Sequence, residues 1–348
     1  MTDLRTRPTS TLDLSTDLVE AALVLARAFV SGSRLVVRAD SCADHAHHVA
    51  VEFIHPVIAG ARSLPSVAVG VGYTPLASDR VLTIGDCAVG HVDFTISTRL
   101  TDAEIMLSYH LLWELVQVSL EHRGIVGSAA HAGGDSTGFL YPFLDASETD
   151  EASLRAALES SAAAKRSESD DLTSEAVVAN REAIDSAAAA IAATAATGGR
   201  VLLMGNGGSS TDAARIERLL TSLGIDALSL ASDYAVLSAL ANDLGADRVF
   251  ARQVEALGRP GDILIGCSTS GASQNLLAAF EQADADGLTG IGLSGYGGGV
   301  FRQQRGVTHC LVVDSTSVHR IQEAQCGLIA ELCDSVRRAS VGEGTVSP

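Results

Sequence analysis

Lysine is all but missing from this chain. Lys165 is the single lysine among 348 residues. It lies far from any glycine-rich turn, so a Walker-type phosphate loop, which needs Gly-Lys-Ser/Thr, is excluded. The six cysteines (42, 87, 267, 310, 326 and 333) show no CxxC spacing. That removes a zinc knuckle and a disulfide framework and leaves reduced packing cysteines. No apolar segment is long enough to span a membrane, and the N-terminal MTDLRTRPTSTLDLS has no apolar signal region; a cytoplasmic protein is expected. Basic residues are outnumbered 24 to 42 by acidic ones, and the net charge of −18 argues against nucleic acid as a partner. An anionic ligand would have to be held by local amides and hydroxyls, because the overall field opposes it. Trp113, the one tryptophan, reads as a core or interface residue rather than a sugar platform.

What is present is apolar and small. Hydrophobic residues make up 47% of the chain, enough for two domains with sizeable cores. Two stretches stand out: Val201–Ala213, VLLMGNGGSSTDA, and Asp262–Leu276, DILIGCSTSGASQNL. Each opens as a short apolar run, breaks into glycine and hydroxyl residues, and resumes as a helix. Such strand-to-helix turns point free backbone N–H groups at one anion, and a phosphate suits them. The spacing Gly205-x-Gly207-Gly208, with Ser210 where a third small residue is needed, departs from the dinucleotide fingerprint. Asp226 stands roughly where a ribose-binding acid would fall, so a nucleotide reading stays open. Glu151–Ala164 and Leu172–Thr197 read as alanine-rich helices broken near Arg166–Asp171.

The pair of turns, with Ala241-Asn242-Asp243 and Arg320-Ile321-Gln322-Glu323, resembles the SIS phosphosugar-binding domain, and within it the sedoheptulose 7-phosphate (phosphoheptose) isomerases. The resemblance runs from about Ser153 to Arg338. It implies a flavodoxin-like α/β domain, a parallel sheet with helices on both faces. It also implies that Asn206, Gly207, Gly208, Ser209, Ser268, Thr269, Ser270, Ser273 and Gln322 hold a sugar phosphate, and that the chain forms a homodimer or homotetramer. Arg320 and Glu323, three apart, are also placed to pair with each other on a helix.

The N-terminal region resembles a shortened second copy. Asp17–Val30 reads as a helix, Arg34–Arg38 as a strand, His45–Phe53 as the following helix and Leu64–Val69 as the second strand; the helix at His110–Val116 resembles the family's last. About ninety residues separate Val30 from His122, roughly half of what a full domain needs, so truncation across the central strands is expected. The expected domains are 1–123, a linker at 124–150 whose apolar patch Phe139–Leu144 docks on a neighbouring domain, and 151–348.

In the family, a helix after the glycine turn carries a histidine and, four residues on, a glutamate. The last helix carries a glutamine and, eight residues on, a histidine. The glutamate and second histidine are its proposed acid–base pair, and all four ligate zinc in some members. In the C-terminal copy these positions fall on Arg215, Leu219, Gln322 and Ala330. In the N-terminal copy they fall on His48, Glu52, Asp102 and His110, whereas Arg38-Ala39-Asp40-Ser41-Cys42 stands where the glycine turn should be. The implied metal ligands are therefore His48, Glu52, Asp102 and His110, and the implied catalytic pair is Glu52 and His110. His48 and Glu52, at i and i+4, share one helix face. Asp102 and His110 converge only if Asp102 starts their helix. Two readings remain open. One is a phosphosugar isomerase with phosphate held by the C-terminal copy and acid–base groups from the N-terminal copy. The other is a non-catalytic sugar-phosphate sensor or assembly factor, with His45, His47 and His48 a solvated patch.

Overall fold

The structure, a computed structural model, describes residues 10–11, 16–39, 41–56, 61–70, 72–85, 91–126 and 150–342. The chain divides into two compact units, Met1–Glu168 and Ser169–Pro348. Phe139–Leu144 lies outside the described residues.

The first unit contains β1 (Ser10–Thr11), α1 (Thr16–Val30), β2 (Leu35–Ala39), α2 (Ala43–Ile54), β3 (Ser66–Val69), β4 (Arg80–Ile84), β5 (Phe94–Ile96), α3 (Asp102–Glu121) and α4 (Arg123–Val126). The helix α5 (Glu151–Ala179) crosses the boundary between units. The second unit continues with α6 (Arg181–Ala196), β6 (Val201–Gly205), α7 (Gly208–Ser222), β7 (Ala227–Ser229), α8 (Tyr234–Leu244) and α9 (Val249–Leu257). It ends with β8 (Ile263–Cys267), α10 (Gln274–Ala285), β9 (Thr289–Ser294), β10 (His309–Val312) and α11 (Val318–Gly342).

Each unit is built on a five-stranded parallel sheet, ordered β1-β5-β4-β2-β3 in the first and β10-β9-β8-β6-β7 in the second. The orders correspond strand for strand, except that the outer position of β10 is filled in the first unit by a strand that precedes α1. In both, the chain leaves the central pair in opposite directions, which opens a crevice at the carboxyl ends of β2 and β4, and of β6 and β8.

Alternation along the strands of the second unit builds two cores. Val201, Leu203, Ile263, Ile265, Ile291 and Leu293 face α6, α7 and α11, whereas Leu202, Met204 and Leu264 pack with Phe250, Phe280 and Phe301 on the opposite face. A parallel sheet covered on both faces needs this near-continuous apolar run.

The expected truncation falls elsewhere than foreseen. The central strands of the first unit are all present. Among the described residues, the segments joining β3 to β4 and β4 to β5 carry no helix, where the second unit has α8, α9 and α10. A strand takes about five residues and a crossover helix more than ten, so the missing length is helix rather than sheet. Helices were also expected to break near Arg166–Asp171. Instead α5 runs through that stretch, and the break comes at Asn180. There the Asn180 Nδ2 donates to the carbonyls of Ala176 (2.7 Å) and Val312 (2.8 Å), while its Oδ1 accepts from the Val312 N–H at 2.7 Å. A buried side chain that pairs both free backbone groups of an edge-strand residue fixes the corner more firmly than local propensity does. The boundary between units, inside α5, lies later than the sequence division at Glu151. The first part of α5 is bound to its own unit by Arg155–Glu20 (2.8 Å) and Lys165–Glu114 (2.5 Å).

Candidate functional site

The second unit brings its two turns side by side. Gly205 and Cys267 are register partners at the ends of β6 and β8, so the segments that follow leave the sheet together. In the first turn Gly207 has φ +54°, open to glycine but strained for other residues. A Cβ on Gly205 would meet the Ser209 carbonyl oxygen at 2.1 Å, so only glycine lets α7 start this close to the strand. Ser209 and Ser210 donate their N–H groups back to Asn206 and Gly207 at 3.0 Å each.

In the second turn the Ser268 Oγ accepts from the Gly271 N–H at 3.0 Å and is buried, so this hydroxyl shapes the turn. Thr269 and Ser273 are half-buried and Ser270 is exposed. Ser273 is the N-cap of α10, yet its side chain makes no cap hydrogen bond. Its hydroxyl is therefore not spent on the helix start, where an anion is favoured. The two turns are tied together by a reciprocal amide pair: Asn206 Nδ2 donates to Asn275 Oδ1 at 3.0 Å, and Asn275 Nδ2 donates to Asn206 Oδ1 at 2.9 Å. Asn275 was missed in the sequence, although it stands two residues after Ser273 in the same motif.

Beneath these turns the catalytic positions of the resemblance are replaced by structure. Arg215 is fully buried and paired with Asp212 at 2.7 Å. A guanidinium there repels any cation. Leu219 packs against the core, Ala330 is exposed, and Gln322 is buried on α11. Burial pushes the Cys267 thiol well up, with the Asp212 carboxylate adding to it, so this cysteine is no nucleophile. Arg320 and Glu323 pair at 2.8 Å as expected, and the Ser169 hydroxyl donates to the same carboxylate at 2.7 Å. Asp226, the residue that kept the nucleotide reading open, is exposed and bound to Arg200 at 3.3 Å.

The first unit holds the residues expected as metal ligands and as the acid–base pair. His48, Glu52 and His110 are buried, and their ligand atoms all lie within 4.8 Å of one another. The Nε2 of His48 is 3.5 Å from Glu52 Oε1 and 3.4 Å from the Nε2 of His110. Zinc held tetrahedrally with bonds of about 2.0–2.1 Å separates its ligand atoms by about 3.4 Å, and the two separations from His48 match such edges. The donor set, two imidazoles and a carboxylate, is one zinc accepts, and three ligands leave a position open for substrate oxygen.

The fourth expected ligand is not part of this group. Asp102 does start α3, behind a capping box made by Thr101 and Glu104, but its Oδ1 lies 3.0 Å from the Nε2 of His45. A short carboxylate at a helix start meets the nearer imidazole, three residues before His48, rather than reaching into the triad. The other ring nitrogen of His45 lies 3.4 Å from the Tyr109 hydroxyl, and the Tyr109 ring lies 5.1 Å from both His48, tilted, and His110, edge-on. The three histidines are therefore not one solvated patch: His45 and His48 are fully buried, and only His47 is exposed. Tyr109 escaped the sequence reading, and His45 entered it only as part of a patch; the signal available for His45 was its helical spacing of three from His48.

A parallel α/β sheet with paired glycine and hydroxyl turns at the carboxyl ends of its central strands is the architecture of phosphosugar-binding domains. The SIS domain model matches residues 166–295. The phosphoheptose isomerase of Roseiflexus sp. is 44% identical over 115 residues, 33% of this chain and 57% of that protein; the phosphoheptose isomerase of Helicobacter pylori is 46% identical over 115 residues and 59% of its length. The solved phosphoheptose isomerase of Neisseria gonorrhoeae is 36% identical, with a TM-score of 0.50, over 51% of this chain and 98% of that one. The chain belongs to the SIS-domain phosphosugar isomerase family, with phosphoheptose isomerases among its relatives. It spans little more than half the length of the curated relatives it matches. The C-terminal domain of glucosamine-fructose-6-phosphate aminotransferase from Francisella tularensis aligns with 94% of this chain at 10% identity and a TM-score of 0.58, a likeness of fold that takes in both units. No helix among the described residues is long and apolar enough to cross a membrane.

Proposed function

We propose that the protein is an aldose–ketose isomerase acting on sedoheptulose 7-phosphate or a close ketose phosphate. Its phosphate is held by Asn206–Ser209, Thr269, Ser270 and Ser273, and its acid–base groups come from Glu52 and His110, within one chain or from another copy in a homodimer or homotetramer. The observation that carries this reading is complementary loss. The unit with the phosphate turns has Arg215 and Leu219 where a base is needed, and the unit without them has His48, Glu52 and His110 gathered in one buried cluster.

The chemistry asked of the residues is limited. Glu52 takes a proton from the carbon beside the carbonyl while His110 delivers one to the carbonyl oxygen, giving an enediol; return of a proton to the neighbouring carbon and its loss from the other oxygen complete the exchange. His48, Glu52 and His110 are the residues that would hold zinc, which when bound supplies charge stabilisation to the enediolate oxygens.

The second reading, a sugar-phosphate sensor or assembly factor, is favoured by one feature: the complete domain has replaced its own catalytic positions with an ion pair and a core leucine. Glu52→Gln separates the two. An isomerase loses about 10²–10⁴-fold in turnover of sedoheptulose 7-phosphate while its affinity for the sugar phosphate holds. Wild-type protein that binds the sugar phosphate without turnover, with or without zinc, would overturn the isomerase and leave the sensor.

A further inference from the structure

The second turn of the phosphate site is aimed from below. Gln325, on α11, is almost fully buried, and its Nε2 donates to the backbone carbonyl of Ser268 at 2.9 Å. In a trans peptide the carbonyl and the next N–H point in opposite directions. Fixing the Ser268 carbonyl inward thus turns the Thr269 N–H outward. The next peptide is treated alike, since the Thr269 carbonyl accepts from the Gly295 N–H at 2.8 Å, which turns out the N–H of Ser270. Among the described residues, neither the Thr269 nor the Ser270 N–H has a hydrogen-bond partner. Two adjacent amides left free at the end of a central strand are available to an anion.

One further fact marks Gln325 as more than packing. Its Oε1 is buried without a hydrogen-bond partner. A buried acceptor in that state is uncommon, and a methionine or leucine would fill the same space without it. The amide acts here through its donor alone.

We infer that Gln325 is a positioning residue of the phosphate site, which sets the Ser268–Thr269 peptide plane so that the Thr269 and Ser270 amides bind phosphate oxygens. The inference rests on the reading of these turns as a phosphate cradle. It is distinct from the hydroxyl contacts there, because Gln325 touches no ligand.

The test uses full-length protein and inorganic phosphate. Titration into wild type, followed by amide NMR, shifts the Thr269 and Ser270 resonances together. Gln325→Met, which keeps the volume and removes the donor, weakens phosphate binding at least tenfold by calorimetry and raises KM for the sugar phosphate with kcat unchanged. A purely structural role would alter thermal stability and leave that split absent. If Gln325→Met folds and binds phosphate as wild type does, the inference is overturned and the cradle stands. If wild type binds phosphate but the Thr269 and Ser270 amides do not respond, the inference is overturned whether or not the variant folds. If wild type binds no phosphate at all, the cradle itself falls.

Discussion

Replacing Asn180 by alanine tests how the second unit closes its sheet. The side chain makes three hydrogen bonds, two of them to the N–H and carbonyl of Val312 on the outer strand β10. The third is the least costly to lose, because the Ala176 carbonyl also accepts from the Asn180 backbone N–H at 3.1 Å. The two Val312 groups have no such substitute. Each buried backbone group left unpaired costs about 1–3 kcal/mol, and better helix propensity of alanine at the α5–α6 junction returns about 0.5 kcal/mol. The expected loss is about 1.5–5.5 kcal/mol, a large fraction of the 5–15 kcal/mol typical of a domain. Hydrogen exchange should locate the effect, since the Val312 amide loses protection before the central strands do. Urea unfolding gives the magnitude, with Ser174→Ala on the exposed side of α5 as control. A change below about 0.5 kcal/mol in Asn180→Ala would refute the account, as would unchanged protection at Val312.

Removing the hydroxyls of Ser270 and Ser273 together by alanine should weaken binding of a seven-carbon sugar phosphate at least about a hundredfold by calorimetry, each desolvated contact to a charged oxygen being worth about 1.5–3 kcal/mol; unchanged affinity would place the phosphate elsewhere. Purified protein should hold close to one zinc per chain by metal analysis, and His48→Ala should lose it, because two remaining ligands do not retain the ion through dialysis. Glu331 is held below the usual carboxylate range by Arg181 first and Arg338 next. Its contribution is therefore present above the unfolded-state value and is lost as pH falls through the lower folded one. Glu331→Gln should lower stability at neutral pH and remove that part of the acid dependence, read by urea unfolding of both proteins across the acid range.

Several features were legible because they are local. The periodicity of α1, α2 and α3, the apolar strands and the glycine and hydroxyl turns after β6 and β8 are written in consecutive residues, so backbone sterics and burial fix them wherever the chain folds. The pairing of His48 with Glu52 is legible for the same reason, as helix geometry sets i and i+4 on one face. Distant partners were not. Nothing near Asn180 says that it will cap an edge strand 132 residues away, and so the break in the helix was misplaced. Nor does the spacing of Asp102 and His110 reveal that an imidazole one turn before His48 will capture the carboxylate. Gln325 and Asn275 acquire their roles only through register, when α11 is laid beneath the Ser268 turn and the two crevice-lining turns are brought side by side. Sequence by itself determined which side chains could do chemistry and on which element each stands. Tertiary structure decided which of them meet, because hydrogen bonds and ligand geometry depend on distances of a few ångströms that only the packing of remote segments sets.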